Sequence, residues 1–575
     1  MTAGSGRIVR VTGPLVEVEH TGNVAMYDLI ALGPNGIPGE IVAVRDGRVT
    51  AQAYEYTGGL APGEPARPQG RPLTARLGPG LLGHVFDGLL RPLSDAPAFL
   101  ASNASGPETG ASRSWRFEPR ADVGLPLAAG ALLGVLGDDS PLEYRVLVPP
   151  GVEGPLVSIR PAGMYSDDTT VARVGDFDVG LWIEWPIRQS KPYRARRESV
   201  EPLPTGQRAI DLLFPIARGG SAAVPGGFGT GKTVLLQQLA KWCHADVIVY
   251  VGCGERGNEM ADVVAELMEL EDPRTGGRLA DRTVVIANTS NMPMMGREAS
   301  IYTGVTVAEH FRDMGYDTVV IADSTSRWAE AQREYASRSG ALPAEEGYPA
   351  DLASALAAFY ERAGAVETLF GEPGSVTIVG AVSPPGGDLT EPVTAYTERF
   401  VRCRWTLDAE LAYARHYPAV SWSGSFCRDA DAVGRWQSRN GDPAWLDRRI
   451  RLLALLAEAD RLSALAELVG LEALPGHERM VILGGRLVRE AVLQQSALSA
   501  QDAYCEPVKA AALAESVLTV VDACQRAVRS GAPATILEAV DFSALIRARE
   551  DTGPDEVEGV RQRLDAVVAE IQELA

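Results

Sequence analysis

A glycine-rich octapeptide at residues 226–233 carries the clearest chemistry in the chain. Its sequence, Gly-Gly-Phe-Gly-Thr-Gly-Lys-Thr, fits the pattern Gly-x-x-x-x-Gly-Lys-Ser/Thr between an apolar run and a helix-like stretch. Such glycines let backbone N–H groups converge on a phosphate, and the following helix adds its positive N-terminus. Lys232 then reaches the β- and γ-phosphates, and the Thr233 hydroxyl coordinates Mg²⁺. The pattern predicts a nucleoside triphosphate site, and the surrounding strand and helix disfavour the alternative of a chance glycine turn.

Charged residues follow two further apolar runs. One run ends in Asp323, where an acidic residue that holds Mg²⁺ is expected, although an aspartate at a strand end is also a common turn residue. The other is followed by Glu255 and Arg256, which offer a carboxylate to polarise water and a cation for phosphoryl charge. Arg327 is a further candidate phosphate contact. A surface Glu-Arg pair and an i,i+4 helix salt bridge remain the alternatives.

These residues require a parallel sheet to bring them together, since ligands bind at the carboxyl ends of its strands. Apolar runs alternate with helix-like stretches between about 200 and 430, as in an α/β sheet, after a first segment of short alternating β-strands. The fold class predicted is multidomain α/β, with a P-loop core, a β-rich insert and a C-terminal helical bundle. The predicted divisions are an N-terminal β-barrel over 1–70, a connector into the core over 71–115, the β-rich insert over 116–190, the nucleotide-binding domain over 191–435 and the helical domain over 436–575.

Composition narrows the class of partner. The 575 residues are 46% apolar and carry a net charge of −21, which argues against nucleic-acid binding because that function draws on an excess of Lys and Arg. The six cysteines include no Cys-x-x-Cys pair, so neither a zinc site nor a disulfide framework is indicated, and a reducing cytoplasm is expected. The N-terminus has no signal-like apolar region, and we expect any membrane role to be indirect.

Several motifs together resemble the catalytic A subunit of the vacuolar/archaeal-type rotary ATPases. The resemblance covers nearly the whole chain, including a β-rich insert at about 116–185 that the shorter F-type β subunit lacks. The residues that carry it are the phosphate loop with its internal Phe228, Thr205-Gly-Gln-Arg-Ala-Ile-Asp211, Gly254-Glu-Arg-Gly-Asn-Glu-Met260, Asn288-Thr-Ser-Asn-Met-Pro293, Ala299-Ser-Ile-Tyr-Thr-Gly-Val-Thr306, Ala322-Asp-Ser-Thr-Ser-Arg-Trp-Ala-Glu330 and Ser383-Pro-Pro-Gly-Gly-Asp388.

The resemblance implies a RecA-like core that binds ATP or ADP with Mg²⁺. Glu255 would activate water, Arg256 and Arg327 would hold the γ-phosphate or released phosphate, and Asp323 with Thr233 would hold the metal. Tyr417 matches the aromatic position that packs against adenine. The nucleotide-binding residues implied are Gly226, Gly227, Phe228, Gly229, Thr230, Gly231, Lys232, Thr233, Val234 and Tyr417.

The resemblance also implies a multisubunit machine. Three copies would alternate with three non-catalytic B subunits that supply an arginine finger, and central and peripheral stalks would couple ATP hydrolysis or synthesis to proton or sodium movement. The chain would then lie peripherally on the cytoplasmic face of the cell membrane, as part of the complex. Alternatives are a non-catalytic nucleotide-binding ring subunit, and a secretion or Rho-like hexameric motor. Glu255 disfavours the first of these, and the acidic charge and long insert disfavour the others.

Four positions depart from the family pattern. Thr230 stands where eukaryotic relatives have Cys, so inhibition through a thiol there is not expected. Asp351 and Ala355 stand where relatives usually have Tyr and Arg, and Leu498 replaces a frequent Phe. A looser adenine pocket is expected on the side of Leu498.

Overall fold

The computed structural model describes residues 6–20, 22–45, 47–93, 113–137, 142–198, 200–272, 275–339 and 342–574. The middle of the connector predicted over 71–115, residues 94–112, therefore lies outside the described residues. The chain forms two compact units, and each is described by itself. Unit one comprises Met1–Glu198, Ala245–Val382 and Thr390–Phe400, and unit two comprises Ser199–His244, Ser383–Leu389 and Val401–Ala575.

The N-terminal part of unit one is a closed six-stranded barrel with the strand order β1-β2-β5-β4-β3-β6. Apolar side chains alternate inward along its strands, and Val16, Ile30 and Ile41 are fully buried in its core. Its strands are β1 (Gly6–Thr12), β2 (Leu15–His20), β3 (Asp28–Leu32), β4 (Ile37–Arg45), β5 (Arg48–Ala53) and β6 (Pro65–Pro72).

The next part of unit one is β-rich, as predicted. One sheet has the order β12-β11-β9-β14, a second has the order β10-β13-β15-β16, and β7 pairs with β17. The strands are β7 (Thr74–Leu77), β8 (Val85–Phe86), β9 (Ser114–Pro119), β10 (Pro126–Leu127), β11 (Leu132–Gly137), β12 (Tyr144–Leu147), β13 (Gly154–Ile159), β14 (Gly163–Ser166), β15 (Ala172–Val174), β16 (Phe177–Val179), β17 (Ile183–Pro186) and β18 (Ala195–Arg196).

Strands and helices alternate through the middle of the chain. The elements are α1 (Arg208–Leu213), β19 (Ser221–Pro225), α2 (Lys232–Trp242), β20 (Val247–Cys253), α3 (Gly257–Glu269), β21 (Thr283–Asn288), α4 (Met294–Asp313), β22 (Asp317–Asp323), α5 (Thr325–Ser339), α6 (Leu352–Tyr360), β23 (Gly364–Glu367), β24 (Pro373–Val382), α7 (Pro392–Phe400), β25 (Cys403–Arg404), α8 (Ala409–Tyr413) and β26 (Phe426–Cys427).

The middle strands of unit one form a parallel sheet in the order β8-β21-β20-β22-β24. Every residue of β20 and β21 is buried, as expected of strands covered on both faces. Two antiparallel strands continue this part, because β23 pairs with β24 and β18 pairs with β23. In unit two, β19 runs parallel to β25, and β25 pairs antiparallel with β26.

Unit two ends in a helical domain. Long helices α10 and α12 bury an apolar stripe each, with Leu452, Leu456, Leu513 and Val517 almost fully enclosed. Its helices are α9 (Ala430–Arg439), α10 (Trp445–Val469), α11 (Gly476–Leu487), a π-helical turn (Val488–Leu493), α12 (Pro507–Arg529), α13 (Ala534–Glu538), α14 (Ser543–Asp551) and α15 (Glu558–Glu573).

The predicted fold class is confirmed in each of its parts. The apolar runs of the core became β20, β21, β22 and β24, and the C-terminal stretches became helices. Two barrel strands, β3 and β6, were not identified from the sequence. Within the described residues, no helix is both long and apolar enough to span a bilayer.

Candidate functional site

The octapeptide lies in unit two as a loop between the buried strand β19 and helix α2. Gly229 and Gly231 have φ angles of 78° and 81°, a left-handed conformation that favours glycine. A Cβ at Gly226 would lie 2.8 Å from Leu407 Cβ and 2.8 Å from Thr230 Oγ1. These glycines therefore permit the backbone conformation of the loop. The N–H groups of the loop come just before the first turn of a helix, as a phosphate cradle requires.

Lys232 begins α2 and folds back over the loop. Its Nζ donates to the Gly226 carbonyl oxygen at 3.2 Å and also to the hydroxyl of Ser383. The ammonium thus lies above the cradle, where a phosphate would accept the same hydrogen bonds. Ser383 was not predicted as a site residue, although it begins the motif Ser383-Pro-Pro-Gly-Gly-Asp388 quoted for the family resemblance.

The other loop side chains divide by exposure. Phe228 is 98% exposed, and Thr233 and Val234 also face solvent at the start of α2. The Thr230 side chain is buried and donates to the Gly227 carbonyl at 2.9 Å. The Thr230 hydroxyl is therefore used inside the loop. We expect the backbone N–H of Thr230, and not its side chain, to contact a nucleotide.

Tyr417 lies beside the loop in the same unit. A Cβ at Gly231 would lie 3.1 Å from Tyr417 Cε1, so the ring packs against the turn that precedes Lys232. Tyr417 is 40% exposed, which leaves surface for a flat base. Its carbonyl oxygen accepts from the Gln495 backbone N–H at 2.8 Å, a contact that holds the Tyr417 segment to the helical domain.

The motif at residues 205–211 explains how that domain is attached. Arg208 is fully buried and forms an ion pair with Asp502 at 2.7 Å, while its guanidinium also donates to the Val492 carbonyl at 2.6 Å. Asp211 accepts hydrogen bonds from the backbone N–H groups of Thr205 and Gly206, and burial raises the pKa of Asp211 to about 7. The motif is thus a buried polar joint within unit two.

The predicted carboxylates both lie in unit one, at adjacent strand ends. Strands β20 and β22 are parallel neighbours with Gly252 opposite Asp323, and Glu255 follows β20 by two residues. Asp323 is buried at the last position of β22, where its Oδ2 accepts from Tyr250 Oη at 3.2 Å. The Glu255 backbone carbonyl accepts from Ser290 N at 2.9 Å, which ties the Glu255 loop to the segment after β21. Both carboxylates therefore lie at the carboxyl edge of the parallel sheet.

The two candidate arginines lie at the same edge. Gly254 has a φ of 76°, and a Cβ there would lie 2.8 Å from Arg327 Cβ, so Arg327 packs directly beside the Glu255 loop. A hydrogen bond with Glu330 raises the pKa of Arg327, and the negative charges of Glu255 and Glu259 raise it further.

Both arginines also pair on their own helices. Arg327 binds Glu330 at 2.9 Å, and the 72% exposed Arg256 lies 3.6 Å from Glu259. Exposed pairs of this kind contribute about 0–1 kcal/mol, so a phosphate can displace the acid partner at little cost. Both pairs have i,i+3 spacing, so their partners differ from those of the two alternatives, a Glu255-Arg256 surface pair and an i,i+4 salt bridge from Asp323 to Arg327.

Three of the four family departures lie at exposed or helical positions, while the fourth, Thr230, is buried in the phosphate loop. Asp351 precedes α6, and the Ala355 N–H donates to the Asp351 carbonyl at 2.9 Å, an ordinary helical contact. Leu498 is 98% exposed in unit two. No contact within the described residues assigns a role to the three side chains of Asp351, Ala355 and Leu498.

The domains of known families match successive parts of the chain. Residues 206–427 match the nucleotide-binding domain of the ATP synthase alpha/beta family. The β-barrel domain of that family matches 8–70, its barrel-sandwich domain matches 107–188, and the C-terminal domain of V and A type ATP synthases matches 435–536.

Individual relatives are similar over nearly the full length. The chain is 45% identical to the A subunit of the A-type ATP synthase from Desulfurococcus sp. (strain SY), over 99% of both chains. It is 45% identical to the V-type ATP synthase alpha chain of Nitrosococcus oceani, over 95% of this chain and 93% of that one. With the V-type alpha chain of Anaeromyxobacter dehalogenans it shares 50% over 88% of both.

A solved structure has the same fold. The assembled ATPase EscN of the enteropathogenic E. coli type III secretion system superposes with a TM-score of 0.65, covering 90% of this chain and 100% of that one. The sequence identity is 21%, so this likeness concerns the fold alone. The domain matches and the full-length identities place the chain in the ATP synthase alpha/beta family, in the group formed by the A-type A subunits and the V-type alpha chains.

Proposed function

We propose that the chain is the catalytic A subunit of a V/A-type rotary ATPase, which hydrolyses or synthesises ATP. The observation that carries the proposal is the pair of carboxylates, Glu255 and Asp323, at the ends of the adjacent parallel strands β20 and β22. A nucleotide site that only stabilises a ring needs no carboxylate to align water. The secretion and Rho-like alternatives are not favoured, because the full-length relatives carry the names of ATP synthase subunits.

The roles proposed for the side chains follow from their chemistry. The loop N–H groups and Lys232 bind the phosphates, Glu255 aligns the attacking water, and Arg256 and Arg327 receive the charge that spreads over the phosphoryl oxygens. Tyr417 stacks on adenine, a contact worth ~1 kcal/mol.

The oxygen donors fit Mg²⁺. Thr233 offers an exposed hydroxyl and Asp323 offers a carboxylate held by Tyr250, and Mg²⁺ prefers one or two such ligands together with water and phosphate oxygens. When bound, the ion neutralises charge on the phosphate oxygens. Thr233 and Asp323 would hold it, and the remaining steps belong to the residues named above.

We propose a shared site in a ring of alternating subunits. Support comes from the relatives, which are named as subunits of ATP synthases, and from the exposure of Phe228, Leu498 and Arg256. A non-catalytic B subunit would supply an arginine in trans, three copies of each would alternate, and stalk subunits would couple the ring to proton or sodium movement. The complex would lie on the cytoplasmic face of the membrane.

The Glu255→Gln variant in the assembled ring tests the catalytic assignment. We expect turnover to fall by about 10²-fold or more, while MgATP affinity stays within a factor of about two, because the amide keeps the shape but cannot orient water as a base. Glu269→Gln, in the exposed last turn of α3, is the matched control and should keep normal turnover. Near-normal hydrolysis by Glu255→Gln would refute the role of Glu255.

A further inference from the structure

Two of the six cysteines face each other across antiparallel strands of unit two. Cys403 in β25 is the register partner of Cys427 in β26. The neighbouring pair is hydrogen-bonded, since Arg428 N donates to the Arg402 carbonyl at 2.9 Å. Hydrogen-bonded and non-hydrogen-bonded pairs alternate, so the cysteines form a non-hydrogen-bonded pair, whose Cα atoms lie about 4.5 Å apart in such sheets. That spacing lies within the range that a disulfide bridges.

The two thiols also point to one place. Cys403 Sγ and Cys427 Sγ both lie within hydrogen-bond distance of one acceptor, the Pro215 carbonyl oxygen, at 3.3 and 3.0 Å. Cys403 is fully buried, whereas Cys427 is half-buried. A reagent from solution would therefore meet Cys427 first, with Cys403 behind it.

The pKa values of the two thiols are shifted in opposite directions, as a thiol exchange requires. The hydrogen bond from Cys403 lowers the pKa of Cys427, although burial raises it. The same hydrogen bond raises the pKa of Cys403, and burial adds to this rise. Of the charged groups nearby, Arg449 favours the Cys427 thiolate and Asp429 opposes it. Cys427 is thus the attacking thiol and Cys403 the resolving one.

We propose that Cys403 and Cys427 form a reversible thiol–disulfide modification site that reacts with low-molecular-weight disulfides. The Cys427 thiolate attacks one sulfur of the reagent RSSR, which forms a mixed disulfide and releases RS⁻. Cys403 then loses its proton and attacks Cys427 Sγ, which forms the Cys403–Cys427 bond and releases the second RS⁻. Overall, two protein thiols and RSSR give one protein disulfide and two RSH.

The bond would close the segment between the two strands into a covalent ring. That segment carries Tyr417, and its Leu407 forms bridges with both Gly226 and Val420. A disulfide restricts the freedom of the chain that it encloses. If Tyr417 contacts adenine, as the proposed function holds, oxidation would restrict a wall of the nucleotide pocket.

Oxidised glutathione, applied to the reduced full-length chain, tests the chemistry without reference to nucleotide. We expect two of the six thiols to be lost in a titration under denaturing conditions, no glutathione to be retained, and peptide mapping to join residues 403 and 427. Dithiothreitol should restore both thiols. A persistent adduct on Cys427 in the unmodified sequence, or a bond between other cysteines, would overturn the proposal.

Three variants sharpen this test. Cys427→Ser should abolish the loss of both thiols, whereas Cys403→Ser should trap glutathione on Cys427. Cys524→Ser, at a buried cysteine in α12, is the matched control and should oxidise like the parent chain. If Cys403→Ser does not fold, Cys427→Ser and the peptide map still decide.

A second measurement addresses the link to nucleotide. In the assembled ring, oxidation should lower ATP turnover about twofold or more, because conformational steps at the site limit many such enzymes, and Cys427→Ser should be insensitive. Unchanged turnover in a ring with the mapped disulfide would overturn this link and leave the modification site standing. Failure of the proposed function itself would appear as a reduced ring without ATPase activity.

Discussion

Gly231 combines two constraints on the phosphate loop. Its φ of 81° lies in the left-handed region, and a Cβ would lie 3.1 and 3.2 Å from two ring carbons of Tyr417. A side chain here would cost about 1–2 kcal/mol in backbone conformation and would displace the tyrosine as well. The residue that precedes Lys232 is therefore fixed both by its own backbone and by its neighbour.

We expect Gly231→Ala to weaken MgATP binding about tenfold or more, because both the cradle and the Tyr417 ring must shift. Isothermal titration of the purified chain measures this affinity. Gly277→Ala is the matched control, since a Cβ there would make only ordinary contacts, the nearest at 3.5 Å. Equal affinities for the two variants would contradict the packing described for Gly231.

His416 provides a pH-dependent readout next to Tyr417. Burial, together with the positive charges of Arg489 and Arg549, lowers the pKa of His416 from 6.5 to about 4. The folded chain thus keeps His416 neutral between pH 6.5 and about 4, while the unfolded chain takes up a proton. Stability attributable to this residue is present above pH 6.5 and is lost as the pH falls through this window.

At pH 5 we expect this loss to reach about 1–2 kcal/mol, as the proton binds the unfolded chain preferentially. Thermal unfolding at pH 7 and pH 5 should show that the stability of His416→Gln falls less between the two pH values than that of the parent chain. His477 is exposed, and the stability of the control variant His477→Gln should fall as much as that of the parent chain. A His416→Gln variant as sensitive as the parent would contradict the buried neutral imidazole.

Residue spacing predicted the phosphate loop, because its conformation depends on local glycines and a following helix. The same reasoning missed Ser383, whose hydroxyl meets Lys232 only after 150 residues of chain have folded between them. It also could not show that the Thr230 hydroxyl is used within the loop. The predicted roles of Glu255, Asp323, Arg256, Arg327 and Tyr417 remain predictions for the experiments above.

At the scale of elements, continuous apolar runs identified the buried parallel strands, since burial on both faces removes the need for polar alternation. Strand β6 was not predicted from the sequence because it contains Pro65, Pro68 and Pro72, and proline disfavours a strand interior. It pairs nonetheless, with Pro68 opposite Ile30 and Pro72 opposite Asp28 of β3. Barrel closure overrides local propensity there, and only the folded chain reveals it.

A buried ion cluster joins α1 to the helical domain. Asp502 is fully buried between Arg208 at 2.7 Å and Arg549 at 2.8 Å. Asp502→Asn keeps the shape but removes the carboxylate partner of the buried Arg208, while Arg549 keeps Glu550 at 2.9 Å. We therefore expect a loss of about 3–5 kcal/mol, mainly from the uncompensated Arg208. Thermal unfolding of the purified variant measures this loss.

Asp522→Asn is the control for that experiment. Asp522 pairs with Arg451 at 2.9 Å, but both side chains are nearly half-exposed, so its loss should stay within about 1 kcal/mol. Similar losses of stability in the two variants would show that burial does not determine how strongly Asp502 stabilises the fold.

At the scale of the whole molecule, side chains named for nucleotide chemistry are open to solvent. Phe228 and Leu498 are each 98% exposed and Tyr417 is 40% exposed. Exposed large apolar groups near a site indicate a surface that another molecule covers. We propose a B subunit as that molecule, because the family resemblance implies one; composition could not have suggested it.

The isolated chain should therefore bind MgATP but hydrolyse it slowly. An arginine supplied in trans accelerates phosphoryl transfer by about 10³-fold or more, so mixing the chain with its B partner should raise turnover by that order. Steady-state phosphate release measures the rates, and Lys232→Ala in the same mixture reports the background from other ATPases. Because Lys232→Ala removes the phosphate contact but leaves the outer surface intact, its ring should assemble without turning over. Equal rates for the isolated chain and the mixture would mean that one chain holds the complete site.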